Sequence, residues 1–313
     1  MTHNEQQLRL YPPAKVNLIL RVGERLPNGY HALWSLMQTV GLTDELTIRI
    51  ESSFTGIRFE CAGLQLSQAT DNLVYRAADL VLQKVLNNTG AAIGVEISLR
   101  KHIPVAAGLG GGSSDAAATI MGLNRVLGCG WSLSEMISLG QQLGSDVPFF
   151  FAAPTAVIQG VGERISPVTL AGDRWILLVN PGFPIHTKSA YQRLDEGRGA
   201  GFQPDNHFPD WNGTDPMSWD DVVPLIKNDF EDVLLDDYPE LAHIKNALLT
   251  AGAEAALVSG SGATIFGIFS DESKAQHARM QLADSPQWRV FVVPVKRVGL
   301  LESGEESGVK SEE

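Results

Sequence analysis

Hydrophobic and polar positions follow two different periods along the chain. Residues 16–22 are rich in apolar side chains and residues 46–50 alternate between apolar and polar ones, with a Pro-Asn-Gly turn signal at 27–29 between them. Such patterns predict strands joined by a turn. From 71 to 86 the apolar positions instead fall on one helical face, with Asp71 or Asn72 as the candidate N-cap. The chain therefore opens with a β-rich region that is followed by a helix.

A strand, a glycine-rich loop and a helix follow one another next. Apolar and polar residues alternate at 95–99, four glycines occupy the five positions 108–112, and the apolar segment 116–127 predicts a helix. Ser132 and Glu135 have the spacing of a capping box. This spacing predicts the start of another helix, which we expect to end at Gly144.

After about residue 172 the pattern starts again. A strand is expected at 175–179 and a helix near 187–194, before a polar stretch at 195–221 that is rich in glycine and proline. That stretch is typical of a long surface loop, and we assign it no function. Helices are then expected at 239–251 and 271–282, and strands at 255–258, 264–269 and 289–295. The alternation predicts a two-layer α+β domain, and a length of 313 residues agrees with two domains.

The composition is that of a globular protein, with 44% hydrophobic and 19% charged residues. A net charge of -12 at pH 7 disfavours nucleic acid as a partner, because binding its phosphates needs a basic surface. No run approaches the roughly 18 apolar residues that a membrane helix needs, and the first residues lack the pattern of a signal peptide. These features predict a cytoplasmic protein that acts on neither a membrane nor nucleic acid.

The cysteines and histidines indicate no metal site held by the protein itself. Cys61 and Cys129 are far apart and form no Cys-x-x-Cys pair, so neither a disulfide framework nor a structural zinc site is expected. The seven histidines show no spacing typical of metal ligands.

The glycine-rich segment 104–117 carries the most chemical information. Its glycines allow successive backbone N–H groups to face one anion, and the following helix directs its positive end to the same place. Ser113 and Ser114 offer hydroxyl groups to phosphate or Mg²⁺, or an N-cap to the helix. The segment is not a Walker A loop, a dinucleotide-binding fingerprint or a nucleophile elbow. The alternative to a phosphate site is a flexible glycine linker before a capped helix.

The same segment resembles the ATP-binding motif of the GHMP kinases, the superfamily of galactokinase, homoserine kinase and mevalonate kinase. Segments 13–18 and 258–264 resemble the two other motifs of that superfamily, in the expected order. The resemblance implies an α+β, two-domain fold with the active site in the cleft between the domains. It also implies ATP as phosphate donor, with Mg²⁺ arriving on ATP. We expect domains at 1–170 and 171–300, followed by a disordered acidic tail at 301–313.

Four segments, 13–18, 25–31, 71–73 and 144–150, resemble one branch of the superfamily in particular. That branch phosphorylates the 2-hydroxyl of cytidine-diphosphate-linked methylerythritol in the non-mevalonate route to isoprenoid precursors. The positions that the resemblance assigns to ATP binding are Asn72, Leu73, Pro104, Val105, Ala106, Ala107, Gly108, Leu109, Gly110, Gly111, Gly112, Ser113, Ser114 and Asp115. Those that it assigns to substrate binding are Asn17, Tyr30, His31, Thr187, Tyr191 and Gly260.

Two residues are the candidate catalytic pair. Phosphorylation of an alcohol requires the hydroxyl proton to leave, and Asp146 is the candidate general base. Its alternative role is to cap the short element that begins at Val147. The resemblance places Lys15 beside the reacting hydroxyl, where its charge stabilises the transferring group. The alternative for Lys15 is an ordinary surface position on an edge strand.

The nucleotide- and substrate-binding positions have structural alternatives as well. Asn72 is explained almost equally by a helix N-cap, and Asn17 by a polar strand end. Tyr30 and His31 suit a cytosine ring, with an aromatic face to stack on and a donor and acceptor for its edge, but a half-buried pair would look the same. Gly260 lies in a second glycine turn, which a tight connection would also explain.

Two other functions remain open from the sequence. Another kinase of the superfamily, acting on homoserine, mevalonate or a sugar, would need a different acceptor pocket in place of Tyr30, His31 and Tyr191. A nucleotide-binding sensor would keep the glycine loop and transfer nothing. The presence of both Lys15 and Asp146 disfavours the sensor, because binding alone needs neither residue.

Overall fold

The computed structural model describes residues 7–63, 68–199, 216–282, 287–296 and 300. The expected tail at 301–313 and the positions 200–215 of the polar stretch lie outside the described residues.

Strands and helices alternate in groups along the described chain. The first half contains β1 (Gln7–Leu10), β2 (Pro13–Arg25), β3 (His31–Thr43), β4 (Glu45–Glu51), β5 (Gly56–Ala62), α1 (Leu73–Thr89), β6 (Gly94–Arg100), α2 (Gly111–Val126), α3 (Leu133–Gln141), α4 (Phe149–Ala152), β7 (Thr155–Gly160), β8 (Arg164–Pro167) and β9 (Leu170–Ala171). The second half contains β10 (Trp175–Asn180), α5 (Thr187–Arg198), β11 (Met217–Ser218), α6 (Trp219–Val222), β12 (Lys227–Asn228), α7 (Glu231–Asp237), α8 (Pro239–Thr250), β13 (Ala255–Val258), β14 (Ile265–Phe269), α9 (Glu272–Gln281) and β15 (Arg289–Pro294).

The described strands form three larger sheets and one short parallel pair. Their orders are β1-β4-β6-β5, β12-β2-β3-β7-β8 and β13-β14-β10-β15, with β9 beside β11. Most neighbours are antiparallel, but β5 pairs with β6 and β12 pairs with β2 in parallel. The predicted α+β class is confirmed. Strand β12 joins the second half of the chain directly to β2, which carries Lys15.

Local signals in the sequence account for most element boundaries. The β2–β3 hairpin turns at the predicted 27–29 segment, where Gly29 has φ +86°. Asn72 caps α1, because its side chain accepts a hydrogen bond from the Val74 N–H at 2.8 Å. Ser132 and Glu135 form the predicted capping box of α3, although that helix ends at Gln141 rather than at Gly144.

Two boundaries differ from the sequence-based expectation. Helix α2 begins at Gly111 and not at 116, with Gly110 as N-cap, so Ser113 and Ser114 lie inside its first turn and do not cap it. Helix α5 continues to Arg198, beyond the expected end at 194. The surface loop expected at 195–221 is wrong at both ends. Its first residues belong to α5, and near its other end Trp219 of α6 is buried. The high glycine and proline content of the stretch indicated a loop, although residues at both of its ends are helical.

Buried apolar side chains form three clusters. One packs α1 and α2 against the β1-β4-β6-β5 sheet, and one packs α5, α7, α8 and α9 against the β13-β14-β10-β15 sheet. The third joins β2 and β3 to strands of the second half, with Val16, Ile176 and Phe266 among its members. Packing is therefore continuous across residue 170, and the expected domain boundary stays a prediction.

Candidate active site

Lys15 lies in the interior of the protein on a strand that has neighbours on both sides. Strand β2 pairs with β3 and β12, and Lys15 is only 3% exposed. Its Nζ donates hydrogen bonds to Asn17 Oδ1 at 2.7 Å and to the Gly108 carbonyl oxygen at 2.9 Å. The surface lysine on an edge strand is thus not what the structure shows. A buried ammonium group is held here by the glycine loop and by Asn17.

Asp146 faces this ammonium group. Its Oδ2 lies 3.5 Å from Lys15 Nζ, and its side chain is 35% exposed while that of Lys15 is 4% exposed. The N-cap of α4 is Pro148, without a capping side chain, so Asp146 does not have the capping role that was its alternative. A carboxylate that is open on one side and lies next to a fixed positive charge can accept a proton from a bound hydroxyl group.

The glycine loop fits tightly against its surroundings. Gly108 and Gly110 have φ +76° and +68°, values that L side chains rarely adopt. A Cβ atom on Gly108 would lie 1.9 Å from the Ser259 carbonyl oxygen, and one on Gly110 would lie 2.9 Å from Lys15 Cγ. The loop leads directly into α2, whose N-terminus carries the positive end of the helix dipole. This arrangement suits a polyphosphate, because unpaired N–H groups and the dipole act together.

The other positions assigned to ATP differ in exposure. Val105 and Ala106 are exposed, and Ala106 has a positive φ of 51°. Ala107 and Leu109 are buried in the core. Pro104 is buried, and the start of α2 contains Gly111, Gly112 and Ser113. Leu73 lies close to this start, because its side chain would be 3.5 Å from a Cβ built on Gly112. ATP contacts at these positions and at Asn72, which caps α1, stay predictions.

Ser114 and Asp115 are buried at the start of α2. Among the described residues, Ser114 Oγ has no hydrogen-bond partner. Asp115 accepts a hydrogen bond from Lys101 Nζ at 2.7 Å, and Lys101 also contacts Asp44. Asp44 accepts further hydrogen bonds from two backbone N–H groups at 2.5 and 2.9 Å. Asp115 therefore ties the start of α2 to Lys101, and its expected contact with ATP stays a prediction.

Two carboxylates share the one ammonium group of Lys101, and this affects the acidity of Asp115. Burial raises the pKa of Asp115 to about 7, with Lys101 acting in the opposite direction and the charge of Asp44 raising it further. Burial alone would lower the pKa of Lys101, but Asp115 and Asp44 raise it above its usual value. The sequence did not reveal this cluster, because its members lie in three separate segments.

A second group of candidate residues forms an aromatic corner near Asp146. The His31 ring stacks on Tyr191 with centroids 5.0 Å apart, and the rings of Tyr191 and Phe230 are nearly perpendicular with centroids 4.9 Å apart. Burial, followed by the charge of Asp146, raises the pKa of Tyr191 to about 12. His31 Nε2 also lies 2.8 Å from Asp195 Oδ1. Asp195 was not among the expected residues, because it fell in the stretch to which no function was assigned.

Tyr30 is 67% exposed beside this corner, so its ring is available to a ligand. Thr187, the first residue of α5, has its Oγ1 3.0 Å from Ser261 Oγ. The turn that contains Ser261 approaches the lysine closely, since a Cβ on Gly260 would lie 3.3 Å from Lys15 Nζ. Asn228 holds this turn by donating hydrogen bonds to the carbonyl oxygens of Val258 and Gly260, at 2.8 and 2.7 Å.

The fold thus brings residues from both halves of the chain to one place. Lys15, Asn17 and Asp146 lie together with the glycine loop, and the turn at Gly260 lies against them. Among the described residues, no group of three or more His, Cys, Asp or Glu side chains is placed to hold a metal ion. No helix in the described part of the chain is long and apolar enough to cross a membrane.

Comparisons with known proteins identify the family of the chain. Residues 72–153 match the GHMP kinase N-terminal domain model, and residues 217–285 match the GHMP kinase C-terminal model. A 4-diphosphocytidyl-2-C-methyl-D-erythritol kinase of Geobacter metallireducens is 40% identical over 295 residues, which cover 93% of this chain and 99% of the relative. The enzyme of the same name from Syntrophotalea carbinolica is 42% identical over 282 residues, covering 90% and 96%.

The chain belongs to the 4-diphosphocytidyl-2-C-methyl-D-erythritol kinase family of GHMP kinases. A crystal structure of 4-(cytidine 5'-diphospho)-2C-methyl-D-erythritol kinase has 32% identity and a TM-score of 0.72, and the match covers 92% of this chain and 99% of that one. Homoserine kinase from Cytophaga hutchinsonii, with 18% identity and a TM-score of 0.69 over 95% and 96% of the two chains, shares the fold. As a GHMP kinase, this family member is a small-molecule kinase whose phosphate donor is ATP.

Proposed function

We propose that this kinase transfers the γ-phosphoryl group of ATP to the 2-hydroxyl of 4-diphosphocytidyl-2-C-methyl-D-erythritol. This reaction belongs to the non-mevalonate route to isoprenoid precursors. The family of the chain supports the proposal, and the observation that carries it is the 3.5 Å distance between Asp146 Oδ2 and the buried Lys15 Nζ.

Asp146 acts as the general base in this proposal. Its exposed oxygen accepts the proton of the 2-hydroxyl as the hydroxyl oxygen attacks the γ-phosphorus, a role that typically contributes about 10² to 10⁴ in rate. Lys15 stabilises the negative charge of the attacking oxygen and of the transferring group. Its hydrogen bonds to Asn17 and Gly108 hold the ammonium group in place before substrate binds. The transfer is direct, since the attacking nucleophile is the substrate hydroxyl itself.

The glycine loop and the first turn of α2 receive the triphosphate. The N-terminus of α2 fits an anion, and the positive φ values of Gly108 and Gly110 allow the tight course of the loop that leads into it. Mg²⁺ fits the same place, because the buried Ser114 Oγ lacks a hydrogen-bond partner among the described residues and Mg²⁺ prefers oxygen ligands. Ser114 would hold the ion, which when bound neutralises charge on the phosphates.

The aromatic corner receives the cytidine part of the substrate. His31, Tyr191 and the exposed Tyr30 provide faces and polar edges for a pyrimidine ring. Asn17 and the turn at Gly260 lie against Lys15, and Thr187 contacts Ser261 in that turn, so we assign the methylerythritol part to them. The cytoplasmic location remains a prediction from the sequence.

The test is Mg²⁺-dependent ADP release by the purified protein with the cytidylyl substrate, compared with homoserine and mevalonate. We expect release with the cytidylyl substrate only. Asp146→Asn should lower kcat by about 10² to 10⁴ while the KM for ATP changes little, because the side chain keeps its size and loses its basicity. Asp232→Asn, on the exposed side of α7, serves as the matched control.

Each other outcome is informative. Release with homoserine or mevalonate would retain the kinase chemistry and refute the cytidine pocket. If none of the three acceptors supported ADP release, the proposed reaction would be refuted. Unchanged turnover in Asp146→Asn would show that another group takes the proton.

A further inference from the structure

The His31–Asp195 contact is a specific arrangement outside the catalytic pair. His31 is the first residue of β3 and pairs across the hairpin with Arg25, so its backbone is fixed by the sheet. Its ring is held on one face by Tyr191 and at Nε2 by Asp195 Oδ1, 2.8 Å away. The ring therefore has one orientation relative to the aromatic corner.

Asp195 is itself held in place by the end of its helix. Arg198, three residues later in α5, donates hydrogen bonds to the Val22 carbonyl oxygen at 2.7 Å and to Asp229 Oδ2 at 3.0 Å. Asp229 also accepts a hydrogen bond from the Val22 N–H at 2.9 Å. These contacts join the end of α5 to β2, next to the strand that carries His31. The contacts between α5 and β2 thus fix the position of the Asp195 carboxylate beside His31.

A carboxylate beside one ring nitrogen determines which nitrogen of a neutral histidine carries the proton. An ionised carboxylate only accepts hydrogen bonds, so Nε2 must be the protonated nitrogen. Nδ1 of the neutral ring is then an acceptor. Among the described residues, Nδ1 has no hydrogen-bond partner. It is also not fully buried, since it does not belong to the buried side-chain atoms that lack a partner. It is available to a ligand at the aromatic corner.

We propose that Asp195 is a positioning residue that holds His31 with Nδ1 as an acceptor, and that this selects cytosine over uracil. The exocyclic amine of cytosine donates to Nδ1, whereas uracil presents a carbonyl oxygen at the same position and leaves two acceptors facing each other. This inference rests on the proposed function, because it takes the base pocket to lie at His31. It concerns a different residue and a different property from the phosphoryl transfer.

The expected size of the effect follows from an unpaired polar group. A site built around one hydrogen bond rejects a ligand that cannot form it by about 10- to 100-fold in affinity. Removal of Asp195 frees His31 to place its proton on either nitrogen, so the protein can then donate to uracil or accept from cytosine. Discrimination between the bases should collapse, whereas a purely structural loss would weaken both ligands alike.

The experiment compares binding of CDP and UDP by calorimetry, with the donor site filled by saturating ADP. The wild-type protein should prefer CDP by about 10-fold or more, and Asp195→Ala should reduce the ratio to within about threefold. Asp195→Leu keeps the approximate size of the side chain, removes the acceptor for Nε2–H, and provides a second variant should the alanine protein fold poorly. Glu196→Gln, the exposed neighbour on α5 that pairs with Arg193, is the matched control and should keep the wild-type ratio.

Nitrogen-15 NMR of His31 gives a readout that is independent of ligands and turnover. We expect the Nε2–H tautomer in the wild-type protein and a mixture of tautomers in Asp195→Ala. An Nδ1–H tautomer, a doubly protonated ring or an unchanged CDP/UDP ratio in Asp195→Ala would overturn the proposal. Failure of the proposed function is distinguishable, since it would abolish turnover of the cytidylyl substrate without altering the tautomer.

Discussion

Replacement of Gly110 by alanine tests whether the glycine loop positions Lys15, the proposed catalytic lysine. A Cβ at this position would lie 2.9 Å from Lys15 Cγ, 3.0 Å from Lys15 Cε and 3.1 Å from Phe150 Cζ. Phe150 is buried and cannot retreat easily, so the lysine stem must move. The ammonium group would then leave its hydrogen bonds to Asn17 and Gly108.

A matched control separates this effect from backbone strain. Gly130 has the same φ of +68°, and nothing lies within 4 Å of a Cβ built on it. An alanine in the left-handed region costs about 1–2 kcal/mol, so both variants should lose about that much stability. Gly110→Ala should lose about 1–3 kcal/mol more, since it also overpacks its surroundings.

The difference should appear in catalysis. A displacement of about 1 Å at a catalytic group can cost about 100-fold in rate, so kcat of Gly110→Ala should fall by about that factor. Gly130→Ala should keep kcat within about threefold of the wild-type value. The assays are steady-state ADP release and urea denaturation of both variants. Equal kcat values in the two variants would refute the positioning of Lys15 by the loop.

Two further predictions concern titratable and aromatic groups. The folded-state pKa of Asp115, about 7, lies above its ordinary value of 3.8, so the stability that its proton contributes is lost as pH rises from about 4 to about 7. Asp115→Asn should therefore gain stability relative to wild type over that range in urea denaturation, and parallel curves would contradict the raised pKa. Tyr191→Phe should leave the KM for the cytidylyl substrate within about threefold, whereas Tyr191→Ala should raise it by about 10- to 100-fold through lost stacking, with the KM for ATP unchanged in both. Equal effects of the two substitutions in steady-state kinetics would assign the role to the hydroxyl group.

Local patterns were sufficient to predict much of the fold. The strand at 95–99, the capping box at Ser132 and the helix expected at 239–251 all depend on nearby residues, and the structure contains each of them. The start of α2 was missed, because three residues with low or neutral helix propensity, Gly111, Gly112 and Ser113, become helical when the tertiary structure fixes them.

Within the candidate site, the residues of recognisable motifs could be predicted and their partners could not. Lys15 and Asp146 were found by resemblance, and the structure brings them together. Asp195, Asn228 and the Lys101 cluster act through partners far away in sequence, such as the pair His31–Asp195, which is 164 positions apart. No local period or motif encodes such a contact, since only the folded chain brings the two residues together.

Because Gly108 contacts Ser259, the shape of the glycine loop depends on distant parts of the chain. Gly108 accepts hydrogen bonds from Lys15 Nζ and from Ser259 Oγ, and its α-carbon has no room for a methyl group against the Ser259 carbonyl oxygen. A fragment that ended before this turn would still contain Lys15, Asp146 and every glycine of the loop. We expect it to hydrolyse no ATP, because the surface that shapes the loop would be missing. We therefore expect ATP consumption to begin only when the chain includes the turn at Ser259.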